Sequence, residues 1–202
     1  MTAEQLIQKF EQYVDDTTEM SSQEELDLVN KIYRKILSSR TWRFLYKAGT
    51  GTISGTTMPL PSDFSYFPNT TTPNALEYGN SKFVFVGPTY QPYKLINIED
   101  RLQYNNTNGF AYIDIANNNL VFTKAPNNTD VYFTYIYKPD DLTINDSPVF
   151  NSDYHSSIFH GMCVDDMICQ IFDKARSYAA ENQAKMNDIV FDLEVYDNQF
   201  QV

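Results

Sequence analysis

The sequence predicts an α+β fold: a helical bundle built from both chain ends, with an antiparallel β lobe, a small sandwich or barrel, inserted between them. Three observations lead there. Of 7 glycines and 9 prolines, all but Gly161 lie between Gly49 and Pro148. Gly and Pro cost about 1 and 3 kcal/mol inside a helix and serve as turn residues between strands. Both flanks repeat apolar residues at helical spacing, and the middle carries short runs of β-branched and aromatic residues between turn signals. The expected divisions are an N-terminal helical hairpin over 1–48, a β lobe over 49–148, and C-terminal helices with a tail over 149–202 that pack on the hairpin. Because the helical lobe needs both ends, 202 residues read as one domain with two lobes.

The first helix is marked by Leu6, Phe10, Tyr13 and Val14, which share one face. A polar break from Asp15 to Ser22 follows, and Ser22 with Glu25 fits a capping box for a second helix carrying Val29, Ile32, Tyr33, Ile36 and Leu37. Two antiparallel helices result. In the β zone, turn signals at Gly49–Gly55, Pro68–Asn74, Gly87-Pro88, Asn105–Gly109, Asn117–Asn119 and Pro126–Asn128 bound five runs: Lys82–Val86, Lys94–Ile98, Phe110–Ile115, Leu120–Thr123 and Val131–Tyr137. Asn117-Asn118 is a hairpin candidate, since Asn tolerates positive φ. After Pro148, Asn151 or Ser152 can cap a helix. Val164, Ile168, Ile171, Phe172 and Ala175 mark one face, and Met186, Ile189, Val190, Leu193 and Phe200 continue a stripe. One long helix, or two with a kink near Asn182, is expected, its last residues helical or extended.

The formal charge of −11 argues against a protein that grips nucleic acid, because phosphate binding needs clustered Lys and Arg. The charge is unevenly spread. Lys31, Arg34, Lys35, Arg40, Arg43 and Lys47 fall between Leu28 and Ser62 with no acid among them, whereas residues 149–202 are strongly acidic. The basic run serves either a helix C-terminus or complementarity with a neighbouring copy or partner. Cys163 and Cys169, six apart in a helix, point about 120° apart and cannot bridge, so they read as buried thiols in a reducing cytoplasm. The N-terminus has no signal-peptide pattern, and no stretch approaches the ~18 apolar residues of a membrane span. Asn-x-Ser/Thr triplets at Asn69, Asn105, Asn127 and Asn145 read as by-products of Asn-rich turns.

No phosphate-loop, dinucleotide-binding, His-Glu-x-x-His or Cys-x-x-Cys word occurs. His160, Cys163 and Asp166 have helical spacings that could line a metal site, but helix packing accounts for all three; Asp165-Asp166 diverge by about 100° and suit a polar face better than acid–base work. No catalytic residue, metal or cofactor is expected. Trp42, between Arg40 and Arg43, reads as an anchor between the lobes.

The junctions carry the most specific words: Arg40-Thr41-Trp42-Arg43-Phe44-Leu45, Leu60-Pro61-x-Asp63-Phe64, Tyr135-x-Tyr137-Lys138-Pro139-x-x-Leu142, Ser147-Pro148-x-Phe150 and Tyr154-His155. In this order they resemble the head–tail connector (adaptor) proteins of tailed bacteriophages, including the tail tubular gatekeepers of short-tailed phages. The resemblance implies a ring, twelvefold in most relatives, beneath the portal of the DNA-filled head. It implies three partners besides further copies of itself: the portal protein, a downstream tail or neck protein, and DNA that passes through without specific binding. It implies a virion neck location after synthesis in the host cytoplasm, with no membrane. By the same resemblance, Arg40, Trp42, Arg43 and Phe44 belong to an interlobe hinge or subunit interface, with Leu60, Pro61 and Asp63 leading into the β lobe. Tyr196 to Val202 form a portal-docking tail, its apolar candidates being Leu193, Tyr196, Phe200 and Val202. Two rival readings stay open: another neck or tail ring component, such as a head-closure stopper or tail terminator, and a cytoplasmic ligand-binding β protein that uses its 15 Tyr and 14 Phe as a platform.

Overall fold

The computed structural model describes residues 1–15, 19–68 and 82–199 and divides into two compact units, Met1–Phe44 with Pro139–Val202, and Leu45–Lys138. The first unit is helical. Thr2 opens α1 (Ala3–Val14) with a capping box: its hydroxyl accepts the Gln5 N–H, and Gln5 Oε1 accepts the Thr2 N–H at 3.0 Å. Ser21, not Ser22, caps α2 (Ser22–Ser38), with Glu24 Oε2 accepting the Ser21 N–H at 2.8 Å. Two overlapping Ser-x-x-Glu words compete here. Glu24 wins because it faces solvent and can bend back, whereas Glu25 lies on the buried face with Leu28, Val29, Ile32, Tyr33 and Ile36.

Where the chain returns to this unit it is stitched down by polar bonds. Asn30, buried on α2, pairs with the Leu142 backbone in both directions, accepting its N–H at 2.7 Å and donating to its carbonyl at 3.0 Å. The Ala3 and Glu4 N–H groups, which a helix start leaves without intrahelical partners, donate to Asp146 and Ile144 carbonyls.

The C-terminal half holds four helices where one or two were expected: α3 (Ser156–Cys163), α4 (Asp166–Ile171), α5 (Asp173–Ser177) and α6 (Ala179–Gln199). The breaks fall at Asp165, which caps α4 by accepting the Met167 N–H, at extended Phe172, whose ring is buried, and at Tyr178. Asn182, near which a kink was expected, lies within α6 four residues after the break at Tyr178. It is buried there and satisfied by His160 Nδ1 at 2.8 Å, the Tyr13 hydroxyl at 3.0 Å and the Tyr178 carbonyl. The short α3 is the hub, packing on α1, α2 and α6, with Ile158 and Met162 fully buried.

The second unit is a mixed sheet curled into a nearly closed barrel. Its strands are β1 (Tyr46–Thr52), β2 (Thr57–Pro59), β3 (Phe64–Tyr66), β4 (Phe83–Val86), β5 (Gln91–Leu95), β6 (Phe110–Asp114), β7 (Asn119–Phe122) and β8 (Asp130–Tyr137). They run in the order β1-β8-β4-β5-β6-β7-β2, with β3 also on β8. Val131, Phe133 and Tyr135 alternate inward from β8 to meet Val84, Val86, Tyr93, Leu120 and Phe122. The two ends of the strand path approach through the β1–β2 turn, where Ser54 and Thr57 exchange backbone bonds. The Asn117-Asn118 hairpin forms as expected, Asn118 taking φ 51°.

Three expectations for this lobe need correction. Eight strands form among the described residues where five runs were expected, and the run placed at Lys94–Ile98 forms as β5 three residues earlier. The sheet is not wholly antiparallel: β5 and β6 run parallel, because the connection between them passes through a 3₁₀ turn at Ile98–Leu102 and brings the chain back to start β6 beside Lys94. Gly49 and Gly51, read as turn residues, lie inside β1. Added methyl groups there would strike the Phe133 ring and Met58 Sδ, so these glycines make room for larger inward neighbours, and the turn itself falls at Gly55, φ 66°.

Candidate assembly site

The Arg40–Leu45 word forms a strap from α2 to the point where the helical unit ends at Phe44 and the β unit begins at Leu45; the Tyr135–Leu142 word spans the return at Lys138 and Pro139. Two of the specific sequence words therefore mark the two covalent crossings. Trp42 is fully buried: its Nε1–H donates to the Ile36 carbonyl at 2.9 Å, and its ring stacks on Phe44 with centroids 5.4 Å apart. Phe44 in turn lies 6.1 Å from Phe150, which meets the His155 ring edge-on. Burial lowers the His155 pKa and keeps the imidazole neutral, and its Nε2–H donates to the Phe150 carbonyl at 2.8 Å.

The C-terminal helix clamps this strap. Asp197, 1% exposed, accepts the Arg43 N–H at 2.9 Å and the Phe44 N–H at 3.1 Å, satisfying backbone donors that no regular element would pair. Arg40 lies 5.1 Å from the Trp42 ring centroid and reaches α6 as well, donating to Asn198 Oδ1 at 3.2 Å and forming an ion pair with Glu194 at 2.5 Å that lacks hydrogen-bond alignment. Between strap and helix opens a groove of about 360 Å³, lined by Phe44, Val149, Phe150, Asn151, Ser152, Tyr196 and Asp197. It gathers members of two separate sequence words, Phe44 and Phe150, together with Tyr196 of the C-terminal segment.

Of the residues singled out from sequence, Arg40, Trp42, Arg43, Phe44 and Tyr196 come together here. Leu193 is fully buried on the same helix face as Asp197, so it holds α6 to its own unit; Tyr196 is half-buried, 5.5 Å from the Tyr154 ring. Phe200 and Val202 lie outside the described residues, as does Asn69. Leu60, Pro61 and Asp63 belong to the β unit. There Leu60 pairs its backbone with Asn118, and Asp63 binds Lys47 at 2.7 Å and the Tyr135 hydroxyl at 2.9 Å. The Lys47 bond, with the Tyr135 bond behind it, holds the Asp63 carboxyl below its ordinary pKa against the opposing effect of burial. Sequence reading missed Asp197, although an acid four residues after Leu193 on a buried stripe is a signal that it has a polar partner inside.

The basic run is largely neutralised within the chain. Lys31 pairs with Asp165, Arg34 with Asp141, Arg40 with Glu194 and Lys47 with Asp63. Lys35 and Arg43 have no ion-pair partner among the described residues. No group of His, Cys, Asp or Glu among the described residues is arranged to hold a metal. His160 is engaged by Asn182, and burial pushes the Cys163 thiol up to about 12. No helix among the described residues is long and apolar enough to cross a membrane.

The family model described as SU10 adaptor protein matches residues 1–199. The search of curated proteins found no match.

Proposed function

We propose a role from one premise: the chain belongs to the SU10 adaptor protein family, a phage head–tail adaptor family, and is a structural adaptor protein of the bacteriophage virion. On this reading the protein is not an enzyme. Twelve copies close into a ring beneath the portal, join the filled head to the tail or neck protein that follows, and line the channel through which DNA passes. The net charge of −11 supports the channel role, because an acidic lumen repels a duplex and forms no lasting phosphate contacts. The strap Arg40–Phe44 serves as the hinge, held by α6, and Leu60, Pro61 and Asp63 stiffen the start of the β lobe. Portal contact is assigned to the tail beyond α6, Phe200 and Val202, with Tyr196 at its base and Leu193 as the buried anchor.

The observation that carries this reading is the family match over nearly the whole chain. Mixing the purified protein with isolated portal complexes and imaging the product by electron microscopy tests it. Closed rings seated on one end of the portal support it. Free monomer or a closed dimer beside bare portal overturns it.

A further inference from the structure

We infer that the groove lined by Phe44, Phe150 and Tyr196 receives an arginine side chain from a protein partner, with an apolar neighbour of that arginine resting on Val149. On the adaptor reading above the partner is the portal protein, because Tyr196, at the base of the proposed portal-docking tail, forms one wall of the groove. Only the choice of portal rests on that reading; the preference for a cation rests on the groove itself.

Asp197 is a buried carboxylate without a cation. It belongs to the lining, is 1% exposed, and forms no ion pair among the described residues. Its Oδ1 accepts the Arg43 and Phe44 N–H groups, whereas Oδ2 only shares the Arg43 N–H. A carboxylate offers about four acceptor sites, so Oδ2 keeps capacity for a further donor. Burial of a charge is costly until hydrogen bonds and a counter-charge meet it, and backbone N–H groups supply only the first.

The rim has the same sign. Exposed Asp153 follows Ser152 of the lining, and the Tyr154 ring lies 5.5 Å from Tyr196. Burial pushes the Tyr154 pKa up, and the charges of Asp153 and Asp192 push it the same way, so both acids stand at this edge. Neither has an ion-pair partner among the described residues. Of the strap's own cations, Arg40 pairs with Glu194, and Arg43 meets Asp197 through its backbone N–H and is not part of the lining. Aromatic walls inside an acidic rim suit arginine, whose flat guanidinium stacks on rings and forks onto carboxylates.

The chain does not supply this occupant to a second copy. Residues 16–18, 69–81 and 200–202, outside the described residues, contain no Lys or Arg. Among the described residues, three cations lie within two positions of an exposed large apolar side chain: Lys47 by Tyr46, Arg101 by Leu102 and Arg176 by Tyr178. Asp63 holds Lys47 and Asp173 holds Arg176. Arg101 follows Glu99 and Asp100, which an acidic rim repels.

Two measurements on the full chain test this. In the first, the isotope-labelled protein is titrated with capped Phe-Arg-Leu and Phe-Glu-Leu tripeptides and followed by NMR. The arginine peptide should shift the Asn151 and Ser152 amide signals saturably, and the glutamate peptide should not. In the second, co-sedimentation with portal complexes compares Ser152→Arg, the Asp153→Lys/Asp192→Lys double variant, and a Glu99→Lys/Asp100→Lys control with the same charge change on the β unit. Each groove variant should weaken attachment about tenfold or more, and the control should not. All these positions are exposed, so melting temperatures should stay unchanged. An equal response to both peptides, or none, overturns the inference. So does full-strength portal attachment by both groove variants, equal weakening by the control, or self-association of the chain that Ser152→Arg disperses, which would put a second copy in the groove. Failure of the unmodified chain to attach to portal overturns the adaptor reading instead, and the peptide titration then decides the groove by itself.

Discussion

Gly161 on α3 lies so close to Ile32 on α2 that a methyl group added to it would overlap Ile32 Cγ2 and stand 3.3 Å from Met186 Sδ of α6. The one glycine outside the Gly- and Pro-rich middle of the chain is therefore the point where three helices meet. Gly→Ala inside a helix ordinarily gains roughly 0.5–1 kcal/mol. Here overpacking should win, and Gly161→Ala is expected to cost about 1–3 kcal/mol in urea unfolding. A more stable variant would mean that α2 and α6 give way at no cost and that the contact does not fix their spacing.

Glu25 is 4% exposed, and burial, with the Glu11 carboxylate adding repulsion, pushes its pKa up to about 7 from 4.5. The folded state then holds a proton that the unfolded chain releases between those values. Its contribution to stability is complete below the unfolded pKa, declines as pH rises through about 7, and stays at the lower level above. Glu25→Gln removes this dependence and should raise stability at pH 8 by about 1–3 kcal/mol, with little change at pH 4. Equal gains at both pH values would show that titration of Glu25 is not the cause.

Periodicity made α1 and α2 legible, because Leu6, Phe10, Val14, Val29, Ile32 and Ile36 are buried as their spacing implies. It also placed β8, β7 and β6 to within a residue or two. It failed where a residue's local meaning depends on a distant neighbour. Gly49 reads as a turn until Phe133 is set opposite it, and the Lys94–Ile98 run reads three residues late until β5 is seen to pair with β4 from Gln91 to Lys94. The candidate site divides the same way. Its aromatic words stood out in sequence, but the carboxylate that ties them, Asp197, looked like one more surface acid because its partners are backbone N–H groups some 150 residues earlier in the chain.

Trp42 fills a fully buried site, with its indole N–H bonded to Ile36 and its ring on Phe44. Trp42→Ala should destabilise the protein by about 3–5 kcal/mol in chemical denaturation, as large aromatic truncations in cores do. Trp42→Phe should recover part of this by keeping the stack while losing the hydrogen bond. Should melting be unchanged in Trp42→Ala while portal attachment fails, the ring acts as a surface contact instead.

Asp197 ties the end of α6 to the strap, and the residues proposed for portal contact, Phe200 and Val202, follow it in the chain. Its carboxylate, 1% exposed, holds two backbone N–H groups of the strap, so Asp197→Ala strands both donors and should cost about 1–3 kcal/mol; Asp197→Asn, which keeps an acceptor without the charge, should cost less. The same bonds set the outcome of truncation. Removing residues 194–202 takes away Asp197 together with Glu194 and Asn198, the partners of Arg40, and should lower the melting temperature. Removing only residues 200–202 spares every one of these contacts and should leave melting unchanged while weakening attachment to portal complexes, measured by co-sedimentation. A 194–202 deletion that melts like the full chain would show that the clamp on the strap contributes nothing to the fold. A 200–202 deletion that binds portal at full strength would remove Phe200 and Val202 from the docking surface.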